Sequence, residues 1–215
     1  MVLPAHLRKT ITPAEVNFQA ESELVTILPR YSMKKIELIG VTTVLLFVHV
    51  TNIQSKIPAL RGMRREQVPL WVALILKFQD KCNIVPPDWL NLAFLKARYD
   101  EEVRRPQQFS ELPWNWIAIS KIFLARAADD LQDPTHELRS VIQDIREIRL
   151  AKAQKGLNEL NESNIRLDGL SLIEINEMRP FVLKVMNKLR QLHDTKATEG
   201  EMNNDDDGQY SDVES

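Results

Sequence analysis

The segment from Phe109 to Ala127, FSELPWNWIAISKIFLARA, constrains the fold most strongly because it combines a helix start with an excess of apolar residues. Ser110 is a suitable N-cap, and Pro113 is tolerated in a first helical turn, where the N–H groups have no helical partner. The segment is therefore predicted to form a helix that begins after Ser110 and continues to Leu131.

On a helical wheel, this predicted helix carries apolar residues on two different sides. The first stripe consists of Leu112, Trp116, Ile119 and Phe123, and the second of Trp114, Ile117, Leu124 and Ala128. A surface helix of a single domain needs only one apolar stripe, about 100° wide. Two interpretations are open. The helix is either the centre of a bundle formed by its own chain, or it packs one stripe against another subunit.

A second segment, PLWVALILKF, shows the same excess, because the run from Leu70 to Leu76 contains no polar residue. Two such segments in a chain of 215 residues favour an obligate multi-subunit protein. Trp is also enriched among the residues that anchor protein interfaces. The predicted subunit interface consists of Leu112, Trp114, Trp116, Ile117, Ile119, Phe123, Leu124 and Trp71.

The first part of the chain is predicted to form a small β-rich domain. Thr12 and Glu15 fit a capping box, with Pro13 at the first helical position, and they predict a short helix. Short runs rich in Val, Ile and Leu then predict strands at residues 23–29, 34–40 and 44–50. We assign these elements to an N-terminal domain over residues 1–65.

The rest of the chain is predicted to be helical, which makes the fold mainly α. Helical signals extend from Gln67 onward and predict a C-terminal helical bundle domain over residues 66–194. One long helix is expected after Pro134, and Pro180 should kink the last helix or begin a second one. Residues 195–215 are strongly acidic and poor in apolar residues, so they are predicted to be a disordered tail.

The sequence contains no pattern that indicates an enzyme, a cofactor site or a metal site. The six glycines are never closer than eight residues apart, which excludes a P-loop and a dinucleotide fingerprint. The four histidines have no metal-ligand spacing, and Cys82, the only cysteine, is expected to be a small buried residue. A single cysteine fits a reducing compartment such as the cytosol or nucleus. The acidic pairs are expected to be solvated; they are Glu101-Glu102 and Asp129-Asp130.

Charge is distributed unevenly along the chain. The net charge is −2, but the acidic tail carries −6, which leaves +4 on the remainder. Within the remainder, Arg61, Arg64 and Arg65 form one cluster. Arg139, Arg146 and Arg149 lie along one side of the predicted long helix; a solvated helix surface is the favoured interpretation, and DNA contact is the alternative. Ser211, set among acidic residues in the tail, is a candidate phosphorylation site.

Several long segments resemble one known family. They are residues 1–30, VPLWVALILKFQDKCNIVPPDWL, FSELPWNWIAISKIFLARAADDL, HELRSVIQDIREIRLAKAQKGL and LSLIEINEMRPFV. In this order they closely resemble the Psf-two subunits of the eukaryotic GINS complex, in their fungal form. The resemblance extends over most of residues 1–194.

The resemblance implies a nuclear, non-catalytic subunit of a heterotetramer. Its partners would be two other Psf subunits and the Sld-five subunit. The assembled GINS complex would join the MCM ring and the Cdc forty-five protein in the replicative helicase, for initiation and elongation of DNA replication. The resemblance also implies a small β-rich domain followed by a helical domain, with at most indirect or weak contact to DNA and no membrane association.

Residues 41–54 are mainly apolar and depart from the family's pattern, which usually has a short polar connection at this point or, in some yeasts, a polar insertion. Two explanations are open: an additional genuine strand, or intron sequence translated through an incorrect gene model. Detection of a peptide spanning Val41 to Gln54 by mass spectrometry of the native protein would establish that the cell makes this segment. Its absence beside well-covered flanking peptides would support the intron explanation.

Overall fold

A computed structural model describes residues 11–37, 56–57, 59–158 and 168–202. The described helices are α1 (Pro13–Glu21), α2 (Leu70–Phe78), α3 (Leu92–Arg104), α4 (Trp116–Arg126), α5 (Thr135–Asn158) and α6 (Leu172–Met202). The described strands are β1 (Leu24–Pro29), β2 (Ile36–Glu37), β3 (Lys56–Ile57), β4 (Glu66–Pro69) and β5 (Cys82–Ile84). The predicted fold class, a helical bundle preceded by a small β-rich region, is confirmed.

The N-terminal region is built on a capped helix and a three-stranded antiparallel sheet. Thr12 caps α1 through the predicted capping box with Glu15. The sheet has the strand order β4-β1-β5, so β1 lies in the centre. Alternate residues of β1, Val25 and Ile27, are buried, because side chains two apart share one face of a strand. Helix α1 and strand β1 thus form where they were predicted.

The sheet corrects the prediction that only helices follow Gln67. Strands β4 and β5 both come after residue 65 and both pair with β1, through registers that include Val25↔Val68 and Ile27↔Ile84. The predicted boundary between residues 65 and 66 therefore divides the sheet. The physical reason is that Val68 and Pro69 of β4 continue without a polar residue into α2, and periodicity does not distinguish a buried strand from a buried helix in such a run.

A second, two-stranded sheet is described only in part. Strand β2 covers two residues of the strand predicted at 34–40, and it pairs with β3. The predicted strand at residues 44–50 and the atypical segment 41–54 lie outside the described residues. The same holds for residues 203–215, including Ser211.

The helical region is organised around α3, α4 and α5. Helices α3 and α5 pack against each other, with Leu95 of α3 and Leu138 and Ile145 of α5 fully buried. The long helix expected after Pro134 is α5. Helix α6 continues through Pro180, so no second helix begins there.

Helix α6 also corrects the predicted start of the tail. It ends at Met202, whereas the disordered tail was expected from residue 195. The segment that extends the helix contains Lys196, Ala197, Glu199 and Glu201, which are favourable helix residues, so its polarity did not exclude helical structure.

Polar contacts fix the sheet region against the helical region. The Lys77 Nζ of α2 lies 2.8 Å from Asp129 Oδ2 and 2.7 Å from Asp130 Oδ2, just after α4. Asp130 Oδ2 also accepts a hydrogen bond from the backbone N–H of Ile84 in β5. The Asp130 side chain is only 6% exposed, which corrects the expectation that this acidic pair is solvated.

The beginning of the described chain is attached to α6 in a similar way. The backbone N–H of Ile11 donates to Asn176 Oδ1, and the Asn176 amide donates to the Ile11 carbonyl, both at 2.8 Å. The Asn115 amide before α4 donates to Glu23 Oε1 at 2.6 Å. These contacts connect residues far apart in the sequence, so the N-terminal region and the helical region keep one fixed position and orientation relative to each other.

The two aspartates that contact Lys77 differ in burial, and this difference yields a prediction. Asp130→Ala should lower the free energy of unfolding by about 1–3 kcal/mol, because it leaves the Ile84 N–H and Lys77 without a buried acceptor. Asp129→Ala is the matched control. Its carboxylate is 76% exposed, so the loss should stay below about 1 kcal/mol. Urea unfolding of both variants measures the difference, and equal losses would contradict this account.

Candidate subunit interface

Helix α4 is enclosed by its own chain on most sides. Trp116 and Phe123 have no exposed surface and Ile119 is 3% exposed. This corrects the interface prediction for these three residues, because a side chain that its own fold encloses offers no surface to another subunit. The excess of apolar residues in α4 is explained largely by its central position, which was the first of the two interpretations.

Trp114 lies outside the helix to which it was assigned. Helix α4 begins at Trp116, after the N-cap residue Asn115, so the helical wheel placed Trp114 incorrectly. The predicted N-cap, Ser110, instead donates its hydroxyl hydrogen to Glu102 and is buried. Trp114 is 48% exposed, which leaves half of a large indole uncovered. Leu112 is half-buried beside the core.

A groove of about 720 Å³ lies between α4 and α5. We call it the α4–α5 groove, and it is lined by Ile117, Lys121, Leu124, Ala125, Arg139, Ile142, Gln143, Arg146, Glu147 and Leu150. Ile117 and Leu124, both predicted interface residues, belong to its apolar wall. Leu150 is 40% exposed in this groove. Ile117 is 2% exposed and Leu124 is 9% exposed, so the interface prediction is corrected for these two residues as well, and Leu150, which was not predicted, supplies the open apolar area of the groove.

A second groove, of about 570 Å³, follows the outer side of α2. We call it the α2 groove, and it is lined by Glu21, Trp71, Leu74, Ile75, Lys77, Phe78 and Arg126. Phe78 is 91% exposed and Ile75 is 50% exposed. Trp71, the remaining predicted interface residue, lies partly buried in this groove. Large exposed apolar side chains in a groove are typical of a binding surface.

The three arginines proposed to contact DNA have different environments. Arg139 Nη2 donates to the Leu124 carbonyl at 3.3 Å, and Arg146 forms an ion pair with Glu177 of α6 at 2.6 Å. Arg149 is 1% exposed, which corrects its assignment to a DNA-contacting surface. The three side chains therefore do not form one exposed basic stripe.

Arg149 is the centre of a buried charge network that sequence reasoning missed. Its guanidinium contacts Glu102 of α3 at 2.7 Å and both carboxylate oxygens of Glu174 of α6, at 2.6 and 2.9 Å. It also donates to the backbone carbonyls of Ser110 and Gly169. Lys152 forms a further ion pair with Glu102. A buried cation is thus matched by two carboxylates and two carbonyl groups.

The contacts within this network favour the charged forms of Glu102 and Arg149. Burial by itself would raise the pKa of Glu102, but hydrogen bonds from Lys152 and Ser110, with the charge of Arg149, bring the pKa below its ordinary value of 4.5. Burial likewise opposes the charge of Arg149, but the neighbouring Glu174 and Glu102 carboxylates raise the Arg149 pKa. Glu102 is therefore neither solvated nor a free acid–base group.

A sequence signal for the buried arginine existed. Arg149 follows Ile145 by four residues and Leu138 by eleven, which places it on the same face of α5 as these two buried residues. The signal conflicts with the general rule that arginine is exposed unless it is paired. The partners come from α3 and α6, so local spacing did not reveal them.

The described residues contain neither a metal-binding cluster nor a membrane-spanning helix. Across the described part of the chain, no three His, Cys, Asp or Glu side chains are placed to hold a metal ion. No helix among those residues is long and apolar enough to cross a membrane. Cys82 is 1% exposed, and burial raises the pKa of its thiol to about 11, so it is the buried small residue that was predicted.

Comparison with known proteins follows the division seen in the structure. Residues 12–85 match the PSF2 N-terminal domain, and residues 89–193 match the GINS complex protein helical bundle domain. The chain is 64% identical to the DNA replication complex GINS protein PSF2 of Debaryomyces hansenii, over 99% of this chain and 98% of that protein. The chain belongs to the GINS PSF2 family. The resemblance seen in the sequence is thereby confirmed.

Other members of the PSF2 family are similar over nearly the full length. The protein of the same name from Candida albicans is 61% identical over 99% of this chain and 97% of its own length. That from Saccharomyces cerevisiae is 44% identical over 96% of this chain and 99% of its own length. The N-terminal match includes β4 and β5, in agreement with the sheet that these strands form with β1.

The buried network yields a prediction for stability. Arg149→Met should lower the free energy of unfolding by about 3–5 kcal/mol, because Glu102 and Glu174 would remain buried without their cation. Arg146→Met removes a half-exposed ion pair from the same helix and should cost less than about 1 kcal/mol. Denaturant unfolding distinguishes the two. If Arg149→Met lowered the free energy of unfolding by as little as Arg146→Met does, the buried network would not be stabilising.

The lowered pKa of Glu102 yields a prediction for acid stability. A carboxyl group whose pKa is lowered in the folded protein stabilises it above the unfolded pKa, and this contribution is lost as pH falls through the folded pKa. The free energy of unfolding should therefore decrease as pH falls below the ordinary value of 4.5. In Glu102→Gln, the decrease should be shallower. Unfolding measured over a pH series tests this, and parallel curves would contradict it.

Proposed function

We propose that this protein is a non-catalytic structural subunit of a heterotetrameric GINS complex, with two other Psf subunits and the Sld-five subunit as partners. The observation that carries the proposal is family membership over nearly the full chain, together with apolar surface that the chain leaves open. In this assignment the protein acts in the nucleus during DNA replication. Its contribution is to bind and position other proteins rather than to carry out a reaction.

The sister subunits are proposed to cover three surfaces. These are the indole of Trp114, the α4–α5 groove and the α2 groove. Each contains large apolar side chains with exposed area, and removing such area from water is the main favourable term in protein association.

The proposal extends to the replicative helicase. The GINS complex would associate with the MCM ring and the Cdc forty-five protein in initiation and elongation, and the small N-terminal region would help to attach it. The fixed contact between the two regions supports this role, because the Lys77–Asp130 and Asn115–Glu23 contacts prevent free rotation of one region against the other. A rigid connection holds a partner bound to one region at a fixed distance and orientation from a partner bound to the other region.

Direct DNA binding is the alternative function, and the described residues favour it less. It was based on Arg139, Arg146 and Arg149, of which Arg149 is buried and Arg146 is paired with Glu177. The two remaining exposed groups lie beside an apolar groove, where they suit the rim of a protein interface.

The interface proposal predicts the effect of truncating Trp114. Trp114→Ala should weaken association with the sister subunits by roughly 30-fold, the equivalent of about 2 kcal/mol for an interface tryptophan. Leu150→Glu, in the α4–α5 groove, should act in the same direction, because it places a charge in an apolar contact. The measurement is the yield of all four subunits after co-expression and purification through a tag on this chain.

Val103→Ala provides the control for these variants. Val103 is an apolar side chain on α3 that is 56% exposed and lies in neither groove. It should leave co-purification unchanged. If Trp114→Ala and Leu150→Glu also left the complex intact, the proposed surfaces would be wrong, and failure of the unaltered chain to co-purify with the sister subunits would reject the function itself.

A further inference from the structure

One end of the three-stranded sheet carries exposed basic side chains that the proposed function does not use. Strand β1 is antiparallel to both neighbours, so its last residues lie beside the first residues of β4 and β5. Pairings Ile27↔Glu66 and Pro29↔Cys82 define this end. The loop after β1, the loop before β4 and the turn before β5 therefore meet at one place.

Backbone contacts hold these three segments together. The N–H of Met63 donates to the Pro29 carbonyl, and the N–H of Arg30 donates to the Lys81 carbonyl, both at 2.8 Å. The N–H of Gly62 donates to Ser32 Oγ at 3.1 Å. Gly62 also lies so close to the preceding loop that a Cβ there would be 3.2 Å from the Ser32 nitrogen. The loops are thus packed against each other as one surface.

We call this surface the basic sheet end. Its exposed cationic residues are Arg30, Lys34, Arg61, Arg64, Arg65 and Lys81. The Arg30 guanidinium donates to Asn83 Oδ1, a neutral amide oxygen, at 2.9 and 3.1 Å. Among the described residues, none of these six cations forms an ion pair with a carboxylate. The carboxylates nearby in sequence are Glu37, Glu66 and Asp80, and the Asp129 carboxylate lies close enough to Arg30 to interact with its charge. The six cations outnumber these four carboxylates, in a chain whose net charge is −2.

Two large side chains are exposed among these cations. Tyr31 is 66% exposed and Met63 is 77% exposed. Met63 has a φ of 59°, in the left-handed region that residues with a side chain rarely adopt. Backbone of this kind persists only where surrounding contacts determine it, and it is concentrated at functional sites. The Met63–Pro29 hydrogen bond is such a contact.

We propose that the basic sheet end binds an acidic segment of a partner protein that carries an aromatic or aliphatic side chain among its carboxylates. Four of the six cations are arginines, whose planar guanidinium groups pair with carboxylates through two hydrogen bonds. Tyr, Met and Arg are also the residue types enriched at protein interfaces. Tyr31 and Met63 would contact the apolar side chain, and the cations would contact its acidic neighbours.

The composition of the surface favours a protein over a nucleic acid. Proteins that bind single-stranded nucleic acid align several aromatic side chains, on which successive bases stack. Within the described residues, Tyr31 is the one exposed aromatic side chain at the basic sheet end. The inference is independent of the proposed GINS assembly, because it concerns a surface distinct from the two grooves and from Trp114.

The test uses the full-length chain, alone or in the complex with which it co-purifies. The probe is a short fluorescent peptide in which Asp and Glu alternate with Phe and Leu, and binding is followed by fluorescence anisotropy. Arg61→Glu, Arg64→Glu and Arg65→Glu together should weaken binding by about tenfold or more. Tyr31→Ala should weaken it less. A peptide with Asn and Gln in place of the acids should not bind.

A matched variant distinguishes the effect of charge at the basic sheet end from the effect of the net charge of the whole chain. Lys155→Glu, Lys184→Glu and Lys188→Glu make the same change in net charge on the exposed parts of α5 and α6. Binding should stay within about twofold of the unaltered chain. The milder pair Arg64→Gln and Arg65→Gln repeats the test if the triple reversal disturbs folding, and it should weaken binding in the same direction.

Three outcomes would overturn the inference. They are no binding of the acidic peptide, equal weakening by both triple variants, and binding of labelled oligothymidylate in place of the peptide with loss in the Arg61, Arg64 and Arg65 variant. The last would assign the surface to nucleic acid. Co-purification of the sister subunits should be unchanged in all these variants, so a failure here is distinguishable from a failure of the proposed function.

Discussion

Burial of the Arg149 guanidinium is the constraint on which the helical region depends. A charge without water is tolerated only where its partners are fixed around it, and the partners here come from α3, α6 and two loop carbonyls. Apolar packing alone would allow helices to slide by small amounts at little cost. Five directed hydrogen bonds to one rigid, planar group do not allow such sliding. Helices α3, α5 and the start of α6 are therefore held at fixed positions along one another.

The position of α4 follows from that arrangement. The carbonyl of Trp114 accepts a hydrogen bond from Leu172, so the turn before α4 is connected to the start of α6, next to Glu174. Helix α4 then lies within its own chain, and its second side opens onto α5 as a groove. A count of apolar residues overstated how much of α4 is available to partners. The apolar side chains that remain exposed lie instead just before α4, at Trp114, on α5, at Leu150, and on α2, at Ile75 and Phe78.

The sequence was informative where the determining contacts are local. Helix α1 was predicted because Thr12 and Glu15 contact each other within one turn, and β1 because a short run rich in Val, Ile and Leu ends at Pro29. The start of α4 was misplaced because the Ser110 hydroxyl is used by Glu102, eight residues earlier, rather than by a helix N-terminus. The burial of Arg149 and the pairing of β4 and β5 with β1 depend on residues even farther away, and local patterns contain no information about such partners.

The pair of hydrogen bonds between Ile11 and Asn176 has a consequence for biosynthesis. The two residues are 165 positions apart, so the amino-terminal segment leaves the ribosome long before its partner exists. At roughly 5–20 residues per second, this delay lasts about 10–30 s. During that interval the Ile11 N–H and carbonyl groups are without their Asn176 partner. Completion of the native fold therefore awaits translation of the last helix.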